Sequence, residues 1–244
     1  MKKIISILLL SSLVVYSCDK TKADAPKDSS TIIKKDSAQN SIQVQNERSP
    51  AGKHISDFVS NDYEIQYETE GDLNQDGLPD KALVLRKKED TLAQRETIIL
   101  LKNPDKTYRL FKSSKTVLPE EYNEFGYKMH DTEDISIEKG TLNINLYDIG
   151  PNGNQFSKFK YIGDHLVLSY IETYNMGAGS HSALYYEPMK GKITLEVIST
   201  MEEEMPSTTQ KAQVKKEKFL FENISLDDIV SNAYNFVEKK IKVS

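Results

Sequence analysis

The chain has 244 residues, a formal net charge of −5, one cysteine and no tryptophan. The mildly acidic balance argues against nucleic acid as a partner. A single cysteine excludes a disulfide framework and a multi-thiolate zinc site.

The first residues set the compartment. Met1-Lys2-Lys3 is basic, Ile4 to Val15 is an apolar run broken only by serines, and Val15-Tyr16-Ser17-Cys18 follows. This is the plan of a bacterial secretory signal, and the run is too short to span a bilayer as a helix. An aliphatic residue three before the cysteine and a small residue just before it resemble a lipoprotein signal box. That resemblance implies a signal peptide over 1–17 and a lipidated Cys18 as the first mature residue, anchoring the protein to a membrane of the cell envelope. Removal of residues 1–17 takes away Lys2 and Lys3, and the formal charge becomes −7.

Asp19 to Pro50 is rich in Lys, Asp, Ser, Thr, Asn and Gln and has no aromatic residue. Such a segment buries too little apolar surface to offset its ordering entropy. Residues 18–50 therefore read as the lipidated cysteine and a flexible tether, with a mean reach of about 30 Å as a coil. Residues 51–244 are expected to form one β-rich domain.

Within it, Ile55, Phe58 and Val59 mark a short helix after Ser49-Pro50, and Tyr63 to Glu70 alternates as a strand does. Asp72-Leu73-Asn74-Gln75-Asp76-Gly77-Leu78-Pro79-Asp80 comes next. Side-chain oxygens recur at positions 1, 3, 5 and 9 of this loop, with glycine at 6. A hard cation such as Ca2+ takes six to eight oxygens at about 2.3–2.6 Å. Asp72, Asn74, Asp76 and Asp80 would supply side-chain oxygens and Leu78 its backbone carbonyl, while Gly77 permits the sharp turn. Position 12, a bidentate Glu in helix–loop–helix sites, is Leu83 here. The alternative is a polar hairpin turn without an ion.

Strands are predicted over Lys81–Arg86, Glu96–Lys102 and Tyr108–Lys112, with a turn at Asn103-Pro104-Asp105-Lys106. Pro119 to Asp134 reads as irregular and acidic. Hairpins follow. Ile135 and Ile137 alternate, Glu138-Lys139-Gly140 turns, and Leu142, Ile144 and Leu146 alternate again. Phe156–Tyr161 and Leu166–Thr173 form the next pair, then Ala183–Glu187 and Lys192–Ser199. Glu202 to Lys218 is polar and reads as a loop, and Phe219-Leu220-Phe221 as a last strand. At the C-terminus Ser225 and Asp228 are placed as a capping box. Leu226, Ile229, Val230, Ala233, Phe236 and Val237 form a helical stripe expected to pack on the core.

The nonapeptide resembles the DxNxDGxxD loops carried between strands in integrin-type propeller blades and in many bacterial secreted proteins. It occurs once, so a propeller of repeated blades is not expected. Ile55-Ser56-Asp57-Phe58-Val59, Tyr63-Glu64-Ile65, the calcium-type loop, Ile98-Ile99-Leu100-Leu101, Ile137 to Leu142 and Phe156 to Tyr161 together look like a group of secreted or lipid-anchored bacterial proteins. The resemblance covers roughly 55–172 and implies compartment and fold; it brings no catalytic residues.

Hydrolase signatures such as Gly-x-Ser-x-Gly and His-Glu-x-x-His are missing. His54, His130, His165 and His181 have no ligand spacing and read as surface or turn residues. Gly177-Ala178-Gly179-Ser180-His181-Ser182 reads as a flexible connection, with an anion cradle as the alternative. Glu120, Glu121, Asp131, Glu133 and Asp134 could supply paired carboxylates, though such runs are usually solvated faces. The expected fold is mainly antiparallel β (α+β), a single β domain with a C-terminal helix packed on it and a short N-terminal helix. The expected function is a calcium-binding envelope lipoprotein acting as a binding or accessory module, its partner a protein or glycan. An exposed aromatic patch would mark such a binder; candidates are Tyr122, Phe125, Tyr127, Tyr174, Tyr185 and Tyr186. The alternatives are a periplasmic inhibitor or immunity-type protein, and a hydrolase using the 120–134 carboxylates.

Overall fold

A computed structural model describes residues 50–150 and 152–241. The expected signal peptide, Cys18 and nearly all of the expected tether lie outside the described residues. The strands are β1 (Ala51–Gly52), β2 (Tyr63–Gly71), β3 (Asp80–Lys87), β4 (Glu96–Lys102), β5 (Tyr108–Ser114), β6 (Thr132–Glu138) and β7 (Thr141–Tyr147). They continue with β8 (Asn154–Ile162), β9 (His165–Gly177), β10 (Ser180–Glu187), β11 (Lys192–Ser199) and β12 (Ser207–Gln213), and the chain ends in helix α1 (Leu226–Ile241). Ile55–Phe58 is a 3₁₀ turn, the short helix expected there.

All pairings between these strands are antiparallel, in two sheets. The first has five strands in the order β1-β5-β4-β3-β2, the second seven in the order β12-β11-β10-β9-β8-β7-β6. The second sheet is a pure meander, each strand pairing with its sequence neighbours. The result is the mainly β fold with a C-terminal helix anticipated from the alternation.

The middle of the first sheet, β3 and β4, is covered on both faces. Every residue of β4 but the last is buried, and its unbroken apolar run Ile98 to Leu101 is what a doubly covered strand requires. On one side Ala82, Val84, Ile99 and Leu101 join the main core with Leu142, Ile144, Phe159 and Leu168 of the second sheet. On the other, Leu83, Leu85, Ile98 and Leu100 form a smaller cluster closed by Phe58 of the 3₁₀ turn and by Tyr108. The sheets meet closely at β2 and β6: a Cβ on Gly71 would lie 2.4 Å from the Ile137 carbonyl oxygen, so only glycine fits there.

Helix α1 lies against β10, β11 and β12. The Ser225 hydroxyl caps it by accepting the Asp228 amide at 3.2 Å. Leu226, Ile229, Ala233 and Val237 are buried in the main core as the stripe predicts, while Phe236 stays 38% exposed.

Three expectations need correction. The polar segment 202–218 contains strand β12, which pairs with β11 from Lys192↔Gln213 to Ile198↔Ser207. As an outer strand it buries only Ala212, so it carries almost no hydrophobic signal. Phe219-Leu220-Phe221 is not a strand. Leu220 makes a single bridge to Val167, beyond the last β9–β10 pair at Tyr186↔Ile171, and Phe221 begins a 3₁₀ turn. Gly177 to Ser182 is a tight hairpin rather than the expected flexible connection: β9 runs to Gly177 and β10 starts at Ser180, which puts His181 and Ser182 in a strand.

Candidate functional site

The loop between β2 and β3 is wound by its own acidic side chains. Asp72 accepts the amide of Asp76 on Oδ1 at 3.0 Å and that of Gly77 on Oδ2 at 2.9 Å. Asp76 accepts the Leu78 amide at 2.8 Å and the Asn74 side-chain amide at 2.8 Å. The path needs left-handed backbone at Gln75 (φ 63°) and Gly77 (φ 86°), which glycine adopts without cost at position 77. Leu73 is fully buried and pins the loop to the main core.

Asp80 differs from its neighbours. It is fully buried. One oxygen accepts the amides of Leu73 and Asn74 at 2.9 and 3.3 Å, and the other accepts the Lys102 amide of β4 at 3.0 Å. Burial pushes its carboxyl above the ordinary aspartate range, the three amides oppose that, and the charge of Asp76 adds to it. Asp80 thus ties the loop to the sheet.

Among the described residues no three His, Cys, Asp or Glu side chains converge on a metal-sized point. The donor chemistry nonetheless fits a hard cation. A carboxylate offers about four lone-pair positions. Asp72 and Asp76 each use two on hydrogen bonds and Asp80 three. Each therefore keeps capacity, and every candidate donor is oxygen.

The acidic run 119–134 does not form one solvated face. Glu120, Asp131 and Asp134 are exposed. Glu121 is buried and faces Arg86 at 3.4 Å, a guanidinium that also holds Glu64 at 2.6 Å. Glu133 takes both terminal nitrogens of the buried Arg95, at 2.5 and 2.9 Å. Arg95 also donates to Gln66 of β2 and to the Pro119 carbonyl. Both carboxylates that sequence reasoning offered for catalysis at buried positions are therefore neutralised by arginine, in a polar seam between the sheets.

The histidines also divide. His54 and His165 are exposed, as expected. His130 is 6% exposed, and burial lowers its pKa despite the opposing charge of Glu133. His181 sits in β10, its ring 2.9 Å from the Tyr174 hydroxyl.

The six candidate aromatics do not form one patch. Phe125 and Tyr127 are exposed in a turn, Tyr122 is half-buried, and Tyr186 faces the core beside Phe219. Tyr174 and Tyr185 lie on the outer face of the second sheet, and residues absent from the expectation accompany them. One cross-strand row on this face runs Asp134, Asn145, Phe156, Glu172 and Tyr185. Tyr147 packs against Phe156 with centroids 5.1 Å apart, and Tyr174 against His181 at 5.7 Å. Farther along, Lys158 reaches over the ring of Tyr170, its cross-strand neighbour, at 5.4 Å. The period-two spacing of Phe156 with Lys158, and of Tyr170, Glu172 and Tyr174, carries this face in the sequence.

No family model, curated protein or solved structure matches this chain.

Proposed function

We propose that the chain is a calcium-stabilised binding module of a bacterial envelope lipoprotein, anchored through Cys18 and offering the outer face of its second sheet to a partner. The observation that carries this reading is the contrast between a carboxylate-wound loop built into the core and an aromatic, polar sheet face left open to solvent. Asp72, Asn74, Asp76, the Leu78 carbonyl and Asp80 are the ligand set for Ca2+. The ion would offset the repulsion among three carboxylates held in nine residues. A membrane anchor needs more than one acyl chain for stable hold, which a lipidated N-terminal cysteine supplies in envelope lipoproteins.

The test is a melting curve. An ion bound only by the folded chain adds RT ln(1 + [L]/Kd), about 2.7 kcal/mol at a hundredfold excess over Kd. Tm is expected to rise with millimolar Ca2+, to fall with chelator and to respond less to Mg2+, which demands a stricter octahedron. A curve indifferent to both, with no heat on calcium titration, removes the metal from the reading. For the anchor, Cys18→Ala is expected to release soluble protein, and an unmodified Cys18 in the mass spectrum of the mature chain removes the lipid.

A further inference from the structure

The outer face of the second sheet contains a recess of about 380 Å³, lined by Lys158, Lys160, Ser169, Tyr170, Glu172 and Lys190 among others. A bulge creates it. Lys158 pairs with Tyr170 and Phe159 with Leu168, so Ser169 has no partner opposite. Bulges of this kind redirect a side chain and bend the strand. Ser169 donates its hydroxyl to the Lys158 carbonyl at 2.8 Å, which closes the gap in the ladder.

The charges around the recess are unequally satisfied. Glu172 accepts the Tyr170 hydroxyl at 2.6 Å. Burial and that carboxylate push Tyr170 well above the ordinary phenol range, so it stays a neutral donor. Glu187 is held by Lys190. Among the described residues neither Lys158 nor Lys160 has a carboxylate within ion-pair distance. Three lysines, Lys158, Lys160 and Lys190, line the recess against two carboxylates, Glu172 and Glu187; in a chain of net charge −5, that positive balance beside an aromatic ring selects an anion.

The surroundings select the rest of the ligand. Phe156 lies two residues from Lys158 on the same face, about 7 Å away, and Tyr185 lies two strands from Phe156, about 10 Å away. Asn145 and Asn143 stand in the neighbouring strand and spend side-chain N–H groups on Asp134 and Ser136. Their carbonyl oxygens keep acceptor capacity for hydroxyl groups. Aromatic rings give flat apolar platforms, and all of these side chains stand on paired strands. An acidic peptide adding as a strand would use a sheet edge, whereas this recess lies in the interior of the sheet.

We infer that this recess binds a carboxylate-bearing saccharide, with Lys158 and Lys160 pairing its carboxylate, the Tyr170 and Phe156 rings under the sugar faces, and Asn143 and Asn145 accepting hydroxyls. This deepens the binding-module reading and rests on it.

The test is calorimetric titration of the full chain with a galacturonic acid hexasaccharide, in chelator because divalent cations bridge uronate chains. Saturable heat is expected, with cellohexaose at least about tenfold weaker for lack of the charged contacts. Lys158→Ala with Lys160→Ala is expected to weaken binding about tenfold and to flatten its salt dependence. Tyr170→Ala should abolish it and Tyr170→Phe retain it; if Tyr170→Ala fails to fold, the lysine pair and the Phe variant decide. No heat, an unchanged double-lysine variant, or equal binding of poly-glutamate or inorganic phosphate overturns the inference; the last two would mark an acidic-protein contact or a plain anion site. Asp76→Ala is expected to bind the saccharide normally. A chain that ignores calcium yet binds uronate loses only the loop reading. One that responds to calcium but gives no uronate heat loses this site.

Discussion

The two sheets share antiparallel pairing but not their exposure. Strands β3 and β4 of the five-stranded sheet are buried on both faces, and the buried titratable groups in and beside them are spent on structure: Asp80 on three backbone amides, Arg95 on Glu133. The seven-stranded sheet has one face in the core and the other wet, with lysines, amides and rings that the fold itself does not consume. A side chain already committed to holding the fold cannot be released for a ligand without loss of stability. The first sheet is therefore the frame, and the outer face of the second is the surface left open for the proposed partner.

The largest expected effect is at the seam between them. Arg95→Ala leaves Glu133 buried and unpaired, and loss of about 3–5 kcal/mol is expected, read as a fall in the urea midpoint. A loss below 1 kcal/mol would show that water reaches the seam and that the sheets are less tightly joined than their contacts imply.

Leu83→Ala, on the face of the first sheet turned away from its partner, is expected to cost about 2–5 kcal/mol, because that face has a closed cluster of its own. A surface-like cost at Leu83 would break the distinction between the sheets.

The 72–80 loop divides within itself. Asp80→Ala removes the acceptor for three amides, two of them at the loop's base, and is expected to destabilise by about 1–3 kcal/mol even in chelator. Asp76→Ala is expected to leave the chelated protein nearly unchanged and to abolish the calcium response of Tm. If both behave alike, Asp80 is not the anchor of the loop.

His130 gives a smaller, pH-dependent effect. Its folded-state pKa lies below the ordinary 6.5 because burial disfavours the imidazolium. The unfolded chain therefore binds the proton first. Stability should be full above pH 6.5 and decline as pH falls from there through the folded-state value. His130→Phe should flatten that part of the curve, measured as urea midpoint against pH. The smallest effect is expected on the outer face, where Lys158→Ala should stay within about 0.5 kcal/mol.

Much of this frame was legible in the sequence, because a strand with one buried face alternates and a strand with two does not. Ile98 to Leu101 and Leu142-Ile144-Leu146 are clear cases of each. Strand β12 was not, since pairing on one side asks only Ala212 to be buried and backbone hydrogen bonds leave no mark on side-chain choice. The oxygens of the 72–80 loop could be read from their spacing, but not that Asp80 turns inward, because its amide partner on Lys102 is 22 residues away. Arg95 and Glu133 are 38 apart, and nothing local to either announces a buried pair. The recess at Tyr170 depends on a bulge, a change in register that only the partner strand reveals.

The meander of the second sheet bears on how the chain acquires its structure. Every strand from β6 to β12 pairs with one already made or the next to come, so loop closure at each step is short and its entropic cost small. Such local topology favours fast folding relative to sandwiches with long crossovers. The sheet can grow strand by strand in the order of synthesis, and α1 arrives last to cover β10, β11 and β12. A chain truncated before Ser225 is accordingly expected to form the early hairpins yet bind a hydrophobic dye through the uncovered inner face. The closing helix, more than any strand pairing, would then be the step that separates a sticky intermediate from the finished protein.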